Sequence, residues 1–324
     1  MDNLLKHTTV PSSVRADLYR SYIEHQRDSR LREELRELIE NAEACLNGGG
    51  SRRRALFLIG ASGSGKSFAL RHHFSLIPEF QKRTNEYGEL YSPILSIEAP
   101  KQCTAKDFAV AILNAIGVPT KVKVTEGDLY DTLRTQLRER GILYLHVDEA
   151  QHLLRHKTKA TVLDVQERLK SLMQIVDWPL HTIYSGVPQL ADLLTGDDQL
   201  ANRSRVMRFV PISLTNEKAK IEEVFAEIVE KKCSLFIPDE LRTNDFLGRL
   251  CHANRGCYGS IIEAVQAACL LAMGKGKRGI DLRAFAFNYQ RETGCLPSDN
   301  IYIAKRWSEI DPHNALADLA SIGN

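Results

Sequence analysis

Five short apolar runs alternate with longer segments of helical pattern between residues 55 and 214, and this alternation constrains the fold more than any other feature of the chain. The runs are ALFLIG, PILSIEA, GILYLHVDE, PLHTIYSG and VMRFVPISL. Strands that are apolar throughout and separated by helices predict a parallel sheet covered on both faces. Beyond Leu214 the pattern is helical only. We therefore predict an α/β domain followed by a smaller helical domain.

These changes of pattern predict four parts along the chain. We expect an N-terminal helical segment over residues 1–50, an α/β domain over 51–214, a helical lid over 215–293 and a C-terminal tail over 294–324. The glycine-rich stretch NGGGSRRR separates the first two parts as a hinge or surface loop. The tail has weak periodicity, so it either docks on a partner or folds back on its own domain.

Composition leaves the function open but indicates the cellular compartment. The 324 residues include 43 basic and 41 acidic side chains, and a net charge of +2 neither demands nor excludes nucleic acid. Seven scattered cysteines without a C-x-x-C pair predict reduced core thiols rather than a disulfide framework or zinc ribbon. No apolar run reaches the roughly 18 residues that cross a bilayer, and the N-terminus lacks the apolar core of a signal peptide. We expect a cytoplasmic protein with no membrane partner.

The first apolar run leads into a glycine-rich turn that matches the pattern G-x-x-x-x-G-K-[ST]. Glycines let the backbone curve around phosphates, so that successive N–H groups and a helix N-terminus face the negative charge. Lys66 would reach the β- and γ-phosphates, and the Ser67 hydroxyl would ligate magnesium. The predicted nucleotide-binding residues are Gly60, Ala61, Ser62, Gly63, Ser64, Gly65, Lys66, Ser67 and Phe68.

A second acidic site follows the third apolar run, in ILYLHVDEAQHLL. Asp148 would hold the magnesium shell, and Glu149 would orient or deprotonate an attacking water. Small-molecule kinases share the glycine-rich turn but rarely carry this pair on a long buried strand. The two motifs together therefore predict ATP and Mg²⁺ as cofactors and hydrolysis as the reaction.

Two further features lie beyond the acidic pair. Ser185 ends the run TIYSG, where it would either sense the γ-phosphate or cap a turn. The segment QLANRSRVMRF carries Arg203, Arg205 and Arg208. Arginines there are typical of a finger that completes the site of a neighbouring subunit, although a solvated basic face would look the same. On the finger interpretation the protein must oligomerise to hydrolyse ATP well.

The order of these parts resembles an AAA+ ATPase. More narrowly, HVDEAQHLL, followed by ERLKSLMQIVDWPLHTIYSGVPQLADLL and DDQLANRSRVMRF, resembles the TniB and TnsC family of transposition ATPases over about residues 15 to 290. The resemblance implies an ATP-dependent regulator that assembles with itself on double-stranded target DNA, recruits the transposase and works with target-selector proteins. It also implies a ring or helical assembly and an AAA+ fold with a five-stranded parallel sheet and a C-terminal helical lid.

The resemblance also assigns roles by position. Lys66 and Ser67 match the Walker A residues, and Asp148 and Glu149 match the Walker B pair. Ser185 matches sensor 1. Arg203 matches the arginine finger, with Arg205 as the alternative. No arginine occupies the expected sensor 2 position in the lid helix of HANRGCYGSIIEAVQAA, because Arg255 precedes that helix.

Two loops are implied to grip the DNA backbone, EAPKQCTAKDF and PTKVKVTEGD. Lysines and hydroxyls that meet phosphates give sequence-neutral binding that weakens with salt. Without the resemblance, solvated surface lysines would be the simpler interpretation. The expected DNA-binding residues are Lys101, Gln102, Thr104, Lys106, Lys121 and Lys123.

Three other classes of protein compete with this interpretation. A secretion ATPase of the ExeA type has a similar DEAQ strand but usually adds a membrane span and an envelope domain, and neither is visible. A replication initiator or helicase loader often appends a winged-helix or helix-turn-helix domain, for which the tail after residue 294 is too short. A metabolic kinase would need a substrate pocket that the sequence does not indicate.

Overall fold

The computed structural model describes residues 10–101, 103–120, 124–154 and 158–312. These residues form two compact units. The sheet unit comprises residues 26–62 and 66–209. The helical unit comprises the segment that ends at His25, the tripeptide Gly63–Gly65 and the segment that begins at Val210.

In the described part of the chain, seven strands form two sheets. The strands are β1 Ala55–Gly60, β2 Arg83–Thr84, β3 Leu90–Tyr91, β4 Ile94–Glu98, β5 Tyr144–Asp148, β6 His181–Gly186 and β7 Ser204–Phe209. Five of them form one sheet in the order β4-β5-β6-β1-β7, and every neighbouring pair is parallel. The predicted α/β fold with a five-stranded parallel sheet is confirmed. β2 and β3 form a separate antiparallel hairpin, which the sequence did not indicate.

Eleven α-helices lie within the described residues. They are α1 Ser12–Arg20, α2 Arg27–Leu46, α3 Lys66–Leu76, α4 Ala105–Ala115, α5 Glu126–Glu139, α6 Lys159–Leu172, α7 Asp198–Asn202, α8 Leu214–Ala226, α9 Asn244–Ala253, α10 Tyr258–Gly274 and α11 Leu282–Thr293. A π-helical turn, Glu227–Lys232, continues α8. The segment between α1 and α2 is not helical, because Ser21 is extended and its hydroxyl donates to the carbonyl of Leu18 (2.8 Å).

The sheet unit buries its central strands β1 and β6 along their whole length, including the polar residues His181, Thr182 and Ser185 of β6. All six residues of β1 and all six of β6 are buried, because both strands have neighbours on each side and helices on each face. The rings of Phe57 and Tyr184 pack with centroids 4.9 Å apart. Leu58 lies opposite Ser185 and Glu98 lies opposite Asp148, so this register places the carboxyl ends of β1, β4, β5 and β6 along one edge.

The helical unit has its own core, built on aromatic side chains of α8, α9 and α11. Phe246 and Phe285 stack edge to face with centroids 5.0 Å apart. Tyr302 belongs to the tail, is 2% exposed and packs its ring 5.5 Å from Phe285. The indole of Trp307 donates to Asp245 (2.9 Å). Of the two alternatives for the tail, its described part, up to residue 312, therefore folds back on its own unit.

Two findings bear on cysteine chemistry and membranes. All seven cysteines are free thiols, as the spacing predicted, and five of them are buried.

Within the described residues, no single helix has the length and apolar character to span a membrane. By length and composition only, α9 and α10 together meet that criterion, but their axes are bent by 113°.

Candidate nucleotide-hydrolysis site

The glycine-rich turn connects the end of β1 to the start of α3. Gly63 and Gly65 have φ angles of 77° and 92°, a region that glycine occupies without steric cost. The Lys66 side chain is 7% exposed, and its ammonium donates to the carbonyls of Gly60 (2.8 Å) and Ala61 (3.0 Å). The charge is therefore held inside the curve of the turn, where a bound phosphate would meet it.

The other predicted residues of the turn differ in exposure. Ser62 and Gly63 are exposed, Ser64 is buried, and Ala61, Gly65, Ser67 and Phe68 are half-buried. The Ser67 side chain lies beside the Asp148 carboxylate and helps to lower its pKa, so the two predicted magnesium ligands are neighbours. Both offer oxygen atoms, which Mg²⁺ prefers. Among the described residues, no group of three or more His, Cys, Asp or Glu side chains offers another metal site.

Asp148 ends β5 and accepts two hydrogen bonds. The Ser185 hydroxyl donates to its Oδ1 at 2.6 Å, and the Glu149 N–H donates to the same oxygen at 3.0 Å. Burial raises the pKa of this carboxyl, but the Ser185 hydrogen bond and the neighbouring Ser67 side chain outweigh it and hold the pKa below its ordinary value. Asp148 is therefore a carboxylate at neutral pH, as a metal ligand must be.

Glu149 sits in a strained backbone conformation, with φ at 51°. Gln151 donates its amide N–H to the Glu149 carboxylate, and its carbonyl oxygen accepts from the N–H of Val187 (3.2 Å). The Gln151 amide thus connects the predicted catalytic base to the segment that follows β6. No role was predicted for Gln151, although the residue lies within HVDEAQHLL, one of the segments that carry the family resemblance.

Ser185 lies at the far end of β6 and is fully buried. His146 Nε2 lies 2.9 Å from the Ser185 oxygen, and His146 Nδ1 lies 2.7 Å from the Ser96 oxygen on β4. Burial lowers the pKa of His146 to about 4, with Arg71 adding to the shift and Asp148 opposing it, so the ring is neutral at pH 7. Nothing in the local pattern marks this histidine as functional, because it stands within an apolar run.

Arg203 follows α7 and immediately precedes β7, at the end of the sheet where the strands begin. Its carbonyl accepts from the N–H of Ala55, the first residue of β1. Gly60 is five residues further along β1, so about 17 Å separate Arg203 from the glycine-rich turn of its own chain. Arg203 therefore cannot serve that turn.

The Arg203 guanidinium lies in an open pocket of about 440 Å³. The pocket is lined by Arg52, Arg54, Met173, Gln174, Ile175 and Arg203. The amide oxygen of Gln174, in the orientation that satisfies both groups, accepts from both terminal nitrogens of Arg203, one of them at 2.6 Å. Arg54 donates to the carbonyl of Met173 (2.9 Å). Three arginines around one pocket offer an anion site.

The other two predicted arginines have different environments. Arg205 pairs with two carboxylates of α2, Glu37 at 2.7 Å and Glu34 at 3.7 Å. Arg208 is an exposed residue of β7. Arg203 faces a neutral amide instead of a carboxylate, so its positive charge stays uncompensated by that contact.

The predicted DNA-binding residues are only partly described. Gln102, Lys121 and Lys123 lie outside the described residues. Lys101 is exposed just beyond β4, and Lys106 donates to the carbonyl of Val124 (2.9 Å). The Thr104 hydroxyl caps α4: it accepts from the N–H of Asp107 and donates to that carboxylate at 2.6 Å. Thr104 thus has a local structural role already.

Four features together define an AAA+ P-loop ATPase. They are the glycine-rich turn after β1, the acidic pair at the end of β5, the serine near the end of β6 and the sheet order β4-β5-β6-β1-β7. Solved structures support this fold. Cdc6p from Pyrobaculum aerophilum superimposes with a TM-score of 0.58 at 16% identity, covering 87% of this chain and 71% of that one. The Aeropyrum pernix ORC1 protein, solved in complex with DNA, has a TM-score of 0.56 at 16% identity and covers 96% and 87%.

Sequence comparison identifies the family. Residues 17–215 match the family described as bacterial TniB protein, and that match spans more than half of the chain. The chain belongs to the TniB family, which confirms the family predicted from its motifs. No curated protein matches the chain significantly.

Proposed function

We propose that this AAA+ ATPase is an ATP-dependent regulator of DNA transposition that oligomerises on double-stranded DNA and recruits and activates the transposase. Slow ATP hydrolysis would drive disassembly. The observation that carries the proposal is the position of Arg203, about 17 Å along the strand direction from its own glycine-rich turn. The basic pocket around Arg203 would instead contact the triphosphate that is bound by another copy of the chain.

Each group of site residues has a separate proposed role in hydrolysis. Lys66 and the backbone of the turn bind the phosphates. Asp148 and Ser67 would hold Mg²⁺, which neutralises the charge that develops on the phosphates. Glu149 orients the attacking water and accepts its proton.

Arg203 is proposed as the finger that completes the site of a neighbouring copy. Its guanidinium would stabilise the charge of the transition state there, an effect worth about 10³- to 10⁵-fold where it has been measured in other NTPases. Arg205 is less suited to this role, because its ion pairs with Glu37 and Glu34 would have to break. Nucleotide then acts at a boundary between copies, so that ATP binding favours assembly.

Mixing two inactive variants tests this arrangement. Lys66→Ala lacks phosphate binding but keeps Arg203, and Arg203→Ala has the opposite defect. Each variant alone should hydrolyse ATP poorly, yet an equal mixture should recover about a quarter of the wild-type rate, since random neighbours pair an intact turn with an intact finger in one case of four. Arg208→Ala is the control, because Arg208 is an exposed arginine of β7, the strand that follows Arg203, and this variant should retain wild-type turnover. No recovery in the mixture would refute the shared site.

Assembly on DNA is tested by electron microscopy with duplex DNA and a non-hydrolysable ATP analogue. Rings or helical filaments on the DNA are expected, and persistent monomers would contradict the proposal. Glu149→Gln should keep nucleotide bound and stabilise the assemblies in the presence of ATP. Loss of nucleotide binding in that variant would show that the acidic pair has been misassigned.

DNA contact is proposed for Lys101 and Lys106, which flank the start of α4. The DNA complex of the ORC1 protein shows that a protein of this fold can bind DNA. Changing both lysines to alanine should weaken binding to all duplexes alike and reduce the salt slope by about one for each phosphate that is no longer neutralised. Lys218→Ala is the control, because Lys218 is paired with Glu222 on α8 at 3.6 Å. An unchanged salt slope would remove both lysines from the DNA surface.

A further inference from the structure

A line of hydrogen bonds crosses three neighbouring strands and ends at the predicted magnesium ligand. It runs from Ser96 on β4 to His146 on β5 (2.7 Å), from His146 to Ser185 on β6 (2.9 Å), and from Ser185 to Asp148 (2.6 Å). His146 is 2% exposed and Ser185 is fully buried, so the bond between them is shielded from water, whereas Ser96 is exposed on β4 and Asp148 is half-buried. The line therefore begins at the exposed edge strand β4 and passes through the buried interior of the sheet.

The chemistry of the four groups gives the line a direction. The Asp148 carboxylate can only accept, so the single hydroxyl proton of Ser185 points to it. The Ser185 oxygen must then accept from His146 Nε2, which therefore carries the ring proton. His146 Nδ1 then carries no hydrogen and accepts a hydrogen bond from the Ser96 hydroxyl. Every donor in the line thus points along the line in the direction of Asp148.

We propose that His146 is a positioning residue for ATP hydrolysis, because its Nε2–H occupies the Ser185 oxygen and leaves the Ser185 proton free only for an acceptor in the site. That acceptor is Asp148 in this structure and becomes a terminal phosphate oxygen when ATP is bound. The inference rests on the proposed role of Ser185 as the γ-phosphate sensor. Ser96 acts one step further back by holding His146 in the required tautomer.

A second buried histidine offers a matched control within the same sheet. His181 begins β6, and its ring nitrogens contact the Pro179 carbonyl (2.7 Å) and the Asn41 amide (2.8 Å). Like His146, it is buried and hydrogen-bonded at both nitrogens. None of its contacts belongs to the nucleotide site. A variant at His181 therefore reports what the loss of a buried histidine does to the fold alone.

The test compares His146→Leu with His146→Gln in steady-state ATP hydrolysis and in equilibrium binding of an ATP analogue. Leucine removes the donor, whereas the glutamine amide nitrogen can occupy the position of Nε2 and donate to Ser185. We expect His146→Leu to lower kcat about tenfold, the effect of one hydrogen bond, with nucleotide affinity within about threefold of wild type. His146→Gln should keep kcat within about threefold, and His181→Leu should not lower kcat beyond the loss of folded protein.

A double-mutant cycle separates this inference from the proposed function. If His146 acts through Ser185, adding His146→Leu to Ser185→Ala should lower kcat no further. Equal kcat losses in His146→Leu and His146→Gln, or additive losses in the cycle, would overturn the positioning role. An unchanged kcat in Ser185→Ala would instead refute the sensor assignment. Failure to assemble on DNA would refute the proposed function without affecting the comparison of Leu and Gln at His146.

The tautomer gives an independent readout. In ¹⁵N-histidine-labelled protein, His146 should show a protonated Nε2 and an unprotonated Nδ1 at pH 7.5, assigned by comparison with His146→Gln. Ser96→Ala removes the donor to Nδ1 and should shift the signals toward a mixture of tautomers. A protonated Nδ1 in the wild-type protein would overturn the direction of the line and the proposal with it.

Discussion

Replacing Gly186 with alanine is expected to disturb the catalytic glutamate without touching it. Gly186 ends β6, and a Cβ atom added there would lie closer than 3.0 Å to the side-chain amide oxygen of Gln151 and 3.2 Å from a methyl group of Leu190. The Gln151 amide is the flexible partner, so it would move by about 0.5–1 Å or rotate away. Its bonds to Val187 and Glu149 would then break together.

The size of the effect follows from these two bonds. The neutral bond to Val187 is worth about 1 kcal/mol, and the charge-assisted bond to Glu149 about 1.5–3 kcal/mol. Alanine recovers about 0.5–1 kcal/mol, because it restricts the unfolded chain. A net destabilisation of about 2 kcal/mol is expected, together with a lower kcat, since Glu149 loses the hydrogen bond that holds its carboxylate.

The assay pairs urea unfolding with ATP hydrolysis, using Gly127→Ala as the control. Gly127 lies in the first turn of α5, where an added Cβ would meet only the Thr125 hydroxyl at 3.9 Å. That variant should be stabilised by up to about 1 kcal/mol, with unchanged turnover. If Gly186→Ala is as stable as wild type and equally active, Gln151 does not hold Glu149 in the working enzyme.

Two further predictions concern stability. Burial lowers the pKa of His181 to about 4, whereas an unfolded histidine titrates near 6.5. The contribution of His181 to the free energy of unfolding is therefore complete above pH 6.5 and is lost as the pH falls toward 4, by up to about 1.4 kcal/mol per pH unit. In urea unfolding from pH 7.5 to 4.5, the free energy of unfolding should fall less steeply in His181→Leu than in the wild-type protein. Asp197 caps α7 through the Leu200 N–H (2.9 Å) and pairs with the buried Lys170 (2.9 Å), so Asp197→Ala should cost about 2–4 kcal/mol in the same assay. Asp197→Asn keeps the cap and should cost less, and equal losses in the two variants would show that the cap contributes nothing.

The local sequence pattern was enough to predict those parts of the site whose residues are close together in the sequence. The glycine-rich turn is predictable because β1, the turn and α3 follow one another directly, and only glycine takes the φ angles found at Gly63 and Gly65 without strain. Asp148 is predictable because it ends an apolar run. The same rule fails for His146, whose partners Ser96 and Ser185 are 50 and 39 residues away.

The sequence by itself determined the fold class, the phosphate-binding turn and the acidic pair, because apolar runs must be buried and parallel strands end at one edge of a sheet. Only the tertiary structure decided which of these groups meet. The order β4-β5-β6-β1-β7 places β5 and β6 side by side, so Ser185 reaches Asp148 and His146 reaches Ser185. It also places Arg203 beside the first residue of β1, at the end opposite the phosphate turn, since hydrogen bonds between strands set register across stretches of chain that no local pattern connects.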